Sequence, residues 1–307
     1  MDHVWQGCPI CGCKTPCLFC WATDRLVRSP LLRYRIMQCP GCRLAFTWEP
    51  DADRLPVPVY PPHYWGSVKE EIEKIRSGAW LGRSLWRMEQ EKVDLVAKLR
   101  DGGRLLDVGA GIGKFLLALD RHRWQAEGVE TEGTLVDLAR HSFPELRLHS
   151  GSLGSLPLPE GAFDVVTFWH VFEHLPNPHE TLAAVRRILA PGGRLVVSLP
   201  NVESWQALWF REDWFAFGEG SRHLYHYGPE SLWRLLLQHG FHPQRILFFS
   251  RRVNFHCWKH SLRAWTSNRL GAPFAYYLLK PLLHLGPLLE SVTRRWGVFT
   301  VVAGKEA

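Results

Sequence analysis

The chain has 307 residues, 46% hydrophobic and 22% charged, with 37 Lys and Arg against 30 Asp and Glu for a formal net charge of +7. These proportions exclude a disordered or collagen-like chain, and the length is enough for one large core with a small appendage. The positive excess suits an anionic partner, whether nucleic acid, an acidic sugar or a membrane face, without choosing among them. Fifteen tryptophans fit an aromatic cleft, an interfacial surface or plain core packing.

In chain order, the opening stretch MDHVWQGCPICGC lacks the basic and apolar runs of an export signal, so a cytoplasmic protein is expected. Seven of the 8 cysteines precede Arg43, mostly in C-x-x-C pairs, and clustering of this kind in a reducing compartment reads as metal binding. Cys8, Cys11, Cys39 and Cys42 have the spacing of two knuckles that hold one tetrahedral zinc with no open position, a structural site. Cys17 and Cys20 could replace a knuckle, join a second site or be buried thiols, while Cys257 is expected as a core residue. A zinc ribbon over 1–50 is followed by a Pro/Tyr-rich connector over 51–84.

From Leu85 onward the pattern alternates. Apolar residues at helical spacing predict a helix over 85–99, then a strand over 104–108. Helix 114–121, strand 125–129, helix 134–140 and strands 146–149 and 164–169 follow. Helix 178–189, a Pro191-Gly192-Gly193 turn, strand 194–199, helix 230–239 and strands 241–249 and 298–303 complete the run. Such alternation predicts a parallel sheet covered by helices on both faces. A helical insertion over 251–296, rich in Arg, Lys and aromatic residues, precedes the last strand.

Leu105 to Phe115 reads as a strand, a glycine-rich turn (Gly109, Gly111, Gly113) and a helix start, the arrangement in which backbone approaches a nucleotide-like ligand. The spacing is G-x-G-x-G, not the G-x-G-x-x-G of dinucleotide sites. Glu130 ends the next strand, where a carboxylate accepts hydrogen bonds from ribose hydroxyls.

With these residues in view, the chain resembles class I S-adenosylmethionine-dependent methyltransferases. The resemblance rests on Leu106 to Gly113, Gly128-Val129-Glu130, Gly161 to Val166, His170 to Leu175 and Leu189 to Gly193. It implies a Rossmann-like α/β fold with a mostly parallel seven-stranded sheet over 85–307. S-adenosylmethionine is then the implied cofactor. Asp107, Gly109, Ala110, Gly111 and Gly113 would hold its methionine part, Glu130 its ribose, and Ser152 and Leu153 its adenine, with Trp169 beside it. The ribbon, the connector around Tyr60 and Tyr64 and the segment Arg222 to Pro229 are similar to bacterial methyltransferases of surface-polysaccharide and deoxysugar pathways. Tyr60 and Tyr64 would then lie over cofactor and acceptor.

Methyl transfer often needs a base near neutral pH, and histidine suits the role. His223 is the expected base by that resemblance, although Arg222 stands where relatives have a carboxylate. His226 would line the acceptor pocket. His170, Glu173 and His174, spaced i, i+3, i+4, would share one face if helical. The leading expectation is a methyltransferase acting on a sugar, glycan or lipid-linked envelope precursor. An RNA methyltransferase and a non-catalytic cofactor-binding scaffold are the alternatives; dispersed basic residues argue against nucleic acid. The insertion 251–296 could be a lid, a dimer contact or a peripheral contact at the inner membrane face.

Overall fold

The computed structural model describes residues 7–24, 33–48, 62–78, 84–248, 250–272 and 274–305. A small sheet begins the chain with β1 (Cys17–Thr23), β2 (Arg33–Gln38) and β3 (Ala45–Trp48). Helices α1 (Pro62–Arg76) and α2 (Ser84–Leu99) lead into β4 (Gly103–Val108), α3 (Lys114–Ala118), β5 (Trp124–Glu130), α4 (Gly133–Ser142), β6 (Arg147–Ser150) and β7 (Phe163–Trp169). Then come α5 (Pro178–Ile188), β8 (Leu189–Pro200), α6 (Trp205–Phe210), β9 (Tyr225–His226), α7 (Pro229–Gln238) and β10 (Phe241–Leu247). Helices α8 (Arg251–Leu270), α9 (Ala275–Leu279) and α10 (Leu285–Thr293), with a 3-10 turn over 280–284 between the last two, precede β11 (Val298–Lys305).

The large sheet has the order β10-β11-β8-β7-β4-β5-β6. Strands β4 to β8 pair in parallel, and β11 runs antiparallel to both its neighbours. This is the Rossmann-like arrangement. Alternate side chains of each strand serve opposite faces: Leu105, Val165 and Val196 join one buried cluster, and Leu106, Val166 and Val197 the other. Such strands are apolar on both faces because helices cover both. The order reverses beside β4, which is flanked by β5 and β7, and a crevice opens at the carboxyl ends there.

Several boundaries differ from the sequence expectation. Helix α3 stops at Ala118, after which Leu119 turns to an extended conformation (ψ 145°). The expected turn at 191–193 interrupts pairing inside β8, where the register with β7 shifts between Phe163 and Val165 and Gly192 takes φ 72°. Strand β9 adds to the edge of β3 (Ala45 opposite His226), so the cysteine-rich segment and the large domain share the four-stranded sheet β1-β2-β3-β9. No helix among the described residues is long and apolar enough to cross a membrane.

Candidate functional site

A cavity of about 240 Å³ lies at the crevice beside β4. Its floor is Asp107 and the loop Gly109 to Ile112, its wall Phe115 and Trp169, and its roof Val68 and Glu71 of α1 with Glu89 and Lys92 of α2. Gly109, Gly111 and Gly113 all have positive φ (73°, 55° and 79°). A Cβ at Gly109 would sit 2.3 Å from a Val171 methyl, whereas one at Gly111 would meet nothing within 4 Å, so Gly111 keeps the loop low beneath open space. The loop amides bond internally: Gly109 and Ala110 donate to the Val129 carbonyl, and Gly111 to Glu130 Oε2 at 3.0 Å.

Asp107 is buried and accepts a 2.6 Å hydrogen bond from Thr167 Oγ1. Burial pushes its carboxyl up to about 7 against the opposing pull of that bond and of Lys92. Lys92 pairs with Glu89 at 2.9 Å and lies 5.5 Å from the centre of the Trp169 ring. A buried acid and a paired ammonium in one cavity suit a zwitterionic ligand. Glu130 is also buried, but its carboxylate is engaged by the Gly111 and Glu132 amides, and it lies outside the cavity lining. Gly113, Ser152 and Leu153 are outside that lining too; Ser152 Oγ bonds Ser155, and Leu153 packs in the core. Tyr60 and the side chain of Tyr64 fall outside the described residues.

The stretch that would put His170, Glu173 and His174 on one face if helical is no α-helix; only a 3-10 turn, Phe172–His174, follows β7. His170 adopts φ 57°, a left-handed conformation rare for a histidine, directly after the cavity residue Trp169. Its side chain keeps 35% of its surface, yet surrounding protein and the nearby Lys92 charge push its pKa down to about 3. Glu173 lies 3.8 Å from His170 Nδ1, its two oxygens otherwise unpartnered, and burial pushes it up to about 8. His174 Nδ1 is bonded to the Arg222 carbonyl at 2.7 Å.

His223 is buried with Nδ1 unpartnered, and its carbonyl accepts from Thr47 Oγ1 at 2.6 Å. Polar atoms of Glu173, His174 and His223 all lie within 4.8 Å of one another. The carboxylate absent from the sequence beside His223 therefore arrives from the β7 edge as Glu173. Arg222 is turned away into a pair with Asp24 at 3.2 Å. His226 lies deeper, edge-on to Phe217 and 3.2 Å from Thr47 Oγ1, and burial pushes it down to about 3. Neither His223 nor His226 lines the cavity. Glu71, Glu89, Lys92 and Lys114 are the charged cavity residues that sequence reasoning missed; Glu89 and Lys92 carry the only hint, an acid–base pair at i, i+3 in the helix before β4.

Before β1 and between β2 and β3, Cys8, Cys11, Cys39 and Cys42 bring all four Sγ atoms within 4.8 Å of one another, with 3.4 Å between Cys8 and Cys42 and between Cys11 and Cys39. The two knuckles repeat one geometry: Gly12 donates to Cys8 O and Arg43 to Cys39 O, with φ 71° and 62°. Four clustered thiols, three of them buried, form a donor set that fits a thiophilic divalent ion, whose charge would offset the repulsion among thiolates. Cys20 lies apart on β1, where burial pushes its thiol up to about 12.

An uncharacterized 37.1 kDa protein in transposon TN4556 of Streptomyces fradiae is 32% identical over 111 residues, covering 34% of this chain and 32% of that protein. A demethylmenaquinone methyltransferase of Thermus thermophilus is 33% identical over 117 residues, covering 36% and 53%. The chain thus spans from about a third to about half the length of these curated relatives. Among solved structures, an inferred methyltransferase from Bacillus halodurans C-125 shares the fold with a TM-score of 0.50 at 16% identity, covering 70% of this chain and 98% of that one. Residues 84–245 match the sequence profile of a methyltransferase domain. That match takes in just over half of the sequence, and the chain belongs to the methyltransferase-domain family.

Proposed function

We propose that the chain transfers a methyl group from S-adenosylmethionine to a hydroxyl or activated carbon of a sugar, glycan or lipid-linked acceptor. The observation that carries this reading is the cavity itself, a glycine loop at the sheet's switch point with a buried acid at its floor; the chain that runs on from its wall residue Trp169 then brings Glu173 and His174 to His223. When bound, the cofactor supplies an electrophilic methyl on a sulfonium. Asp107 would take the methionine ammonium and Lys92 its carboxylate, while Gly109, Ala110 and Gly111 give the close approach and Trp169 closes one side. Gly113 supports the loop from below; Glu130 would hold the ribose, and Ser152 and Leu153 would flank the adenine. Tyr60 and Tyr64 would cover cofactor and acceptor.

The acceptor must lose a proton as its bond to carbon forms. His170 follows the cavity residue Trp169, keeps 35% of its side-chain surface and lies 3.8 Å from Glu173, so we assign the proton to this His170–Glu173 pair, in which the carboxyl raised to about 8 offsets the low basicity of the ring. Glu173 steadies that ring, and His223, buried behind it, orients Glu173. This ordering moves the base from His223, the sequence expectation, to His170. His226 belongs to the joint between the sheets rather than to the acceptor. In the same reading, zinc on Cys8, Cys11, Cys39 and Cys42 is structural.

Assay of labelled methyl transfer to sugar nucleotides and polyprenyl-linked sugars tests the reaction, with RNA as the contrasting acceptor. His170→Ala should keep affinity for S-adenosylhomocysteine and lose about 10²–10⁴-fold in turnover. Unchanged turnover in His170→Ala together with its loss in His223→Ala would return the base to His223.

A further inference from the structure

The insertion between β10 and β11 has an unusual polarity. Helices α9 and α10 and the turn between them are continuous, and one face packs inward: Tyr276 and Leu283 join Phe210, Trp258 and Leu262 in a buried cluster. Gly286 lies so close to Trp258 that a Cβ would fall 2.5 Å from its ring. An ordinary surface helix would make its opposite face polar. Here that face carries Phe274, Leu278, Leu282, Leu285, Leu288 and Val292, at spacings of 4, 4, 3, 3 and 4 residues, the period of a single helical stripe. All are solvent-exposed, from 56% at Leu282 to 78% at Val292.

Charge says what covers this stripe. Residues 251–296 contain eight Lys and Arg against one acid, Glu290, which is buried and bonded to Gln206. Lys280 and Arg294 are exposed at the turn before α10 and at its end, and Arg263 is exposed on α8, where Arg269 is already paired with Glu212 and Asp213. Trp209, 66% exposed, stands 6.2 Å from Trp258 on the neighbouring α6. An apolar stripe among cations with an exposed tryptophan beside it matches the chemistry of an anionic bilayer surface. A second copy of the chain would bring an equal positive excess to the other side of the contact. The insertion lies on rather than through the bilayer, because no described helix is long and apolar enough to cross.

We propose that the exposed face of α9 and α10 is a membrane-docking surface that inserts into the headgroup region of an anionic lipid bilayer. Helix α8, on which it rests, is tied to α2 by the Arg252–Glu91 pair at 2.9 Å, and α2 roofs the cavity. Docking would hold that roof at the lipid surface, where a lipid-linked acceptor would be met. The docking itself does not depend on which acceptor is methylated.

Co-sedimentation of the full chain with phosphatidylglycerol-containing vesicles tests this, with pure phosphatidylcholine vesicles as the contrast. The full chain should pellet with the anionic vesicles, less with the zwitterionic ones, and less in high salt. Leu282→Glu with Leu285→Glu, two exposed positions, should weaken the anionic binding about tenfold or more without changing the melting temperature or S-adenosylhomocysteine affinity. Lys280→Gln with Arg294→Gln should weaken it and flatten the salt dependence. Equal pelleting by the leucine variant, or no pelleting by the full chain, overturns the proposal. So does a dimer that the leucine variant disperses without any vesicle binding, since that gives the face to a second copy.

Discussion

Asp107 shows how a single residue ties burial to ligand chemistry. Its carboxyl is raised to about 7, chiefly by burial, so in the cofactor-free protein it is largely protonated in mildly acidic solution. A ligand ammonium favours the ionised form, and binding below that value must release a proton. Affinity for S-adenosylhomocysteine should therefore fall by about tenfold per pH unit below about 7 and level off above it. Asp107→Asn should bind weakly and without this slope, which calorimetry across pH would read directly. The sign for stability is opposite to that of a salt-bridged acid. With its pKa raised in the folded state, Asp107 lowers the stability of the free protein progressively as pH rises from about 4 to about 7. Glu173, raised to about 8 by burial, acts in the same direction.

Elements act here by bringing distant segments edge to edge. Strand β9 is only two residues long, yet it pairs with β3, and Thr47 of β3 bonds the His223 carbonyl. Thr47→Val removes that donor and leaves a part-buried carbonyl unpaired, which should cost about 1–3 kcal/mol in chemical denaturation. Turnover should fall more than cofactor affinity, because the histidine cluster moves and the glycine loop does not. Gly286 is the comparable point in the insertion. Gly286→Val would force α10 off the Trp258 ring, and a red-shifted tryptophan emission with the large sheet's hydrogen-exchange protection intact would register the local release.

At the scale of the whole molecule, the cysteine centre and the methyltransferase domain are one mechanical unit. Cys8, Cys39 and Cys42 sit in the same buried cluster as Leu106, Phe168 and Tyr227 of the large domain, and His179 Nε2 bonds the Pro9 carbonyl at 2.8 Å. Metal analysis should find one zinc per chain, lost in Cys39→Ser with Cys42→Ser. Chelation should loosen the β3–β9 joint and the His223 segment first. Turnover should then drop at concentrations of chelator that leave S-adenosylhomocysteine binding measurable, a separation that simultaneous loss of both would contradict.

How much of this was legible in the sequence depends on the range of the forces involved. Alternating helix and strand periods, the glycine turn and the paired C-x-x-C spacings are local, and each prescribed its element or ligand set: the parallel sheet, the loop beneath the cavity, the four clustered thiols. Three features were decided only by tertiary contact. His170, Glu173 and His174 had helical spacing, but Val171 must pack on Gly109 and Leu224 must bond Glu173 O, so the chain leaves β7 through a strained turn instead. The carboxylate facing His223 comes from a segment 50 residues away, a distance no spacing rule spans. The insertion's composition told of cations and aromatic rings, but which leucines face solvent depended on Trp258 and Leu262 claiming the other side. A sequence determines period and composition directly; which of two apolar faces finds a partner is settled only when every other surface has been placed.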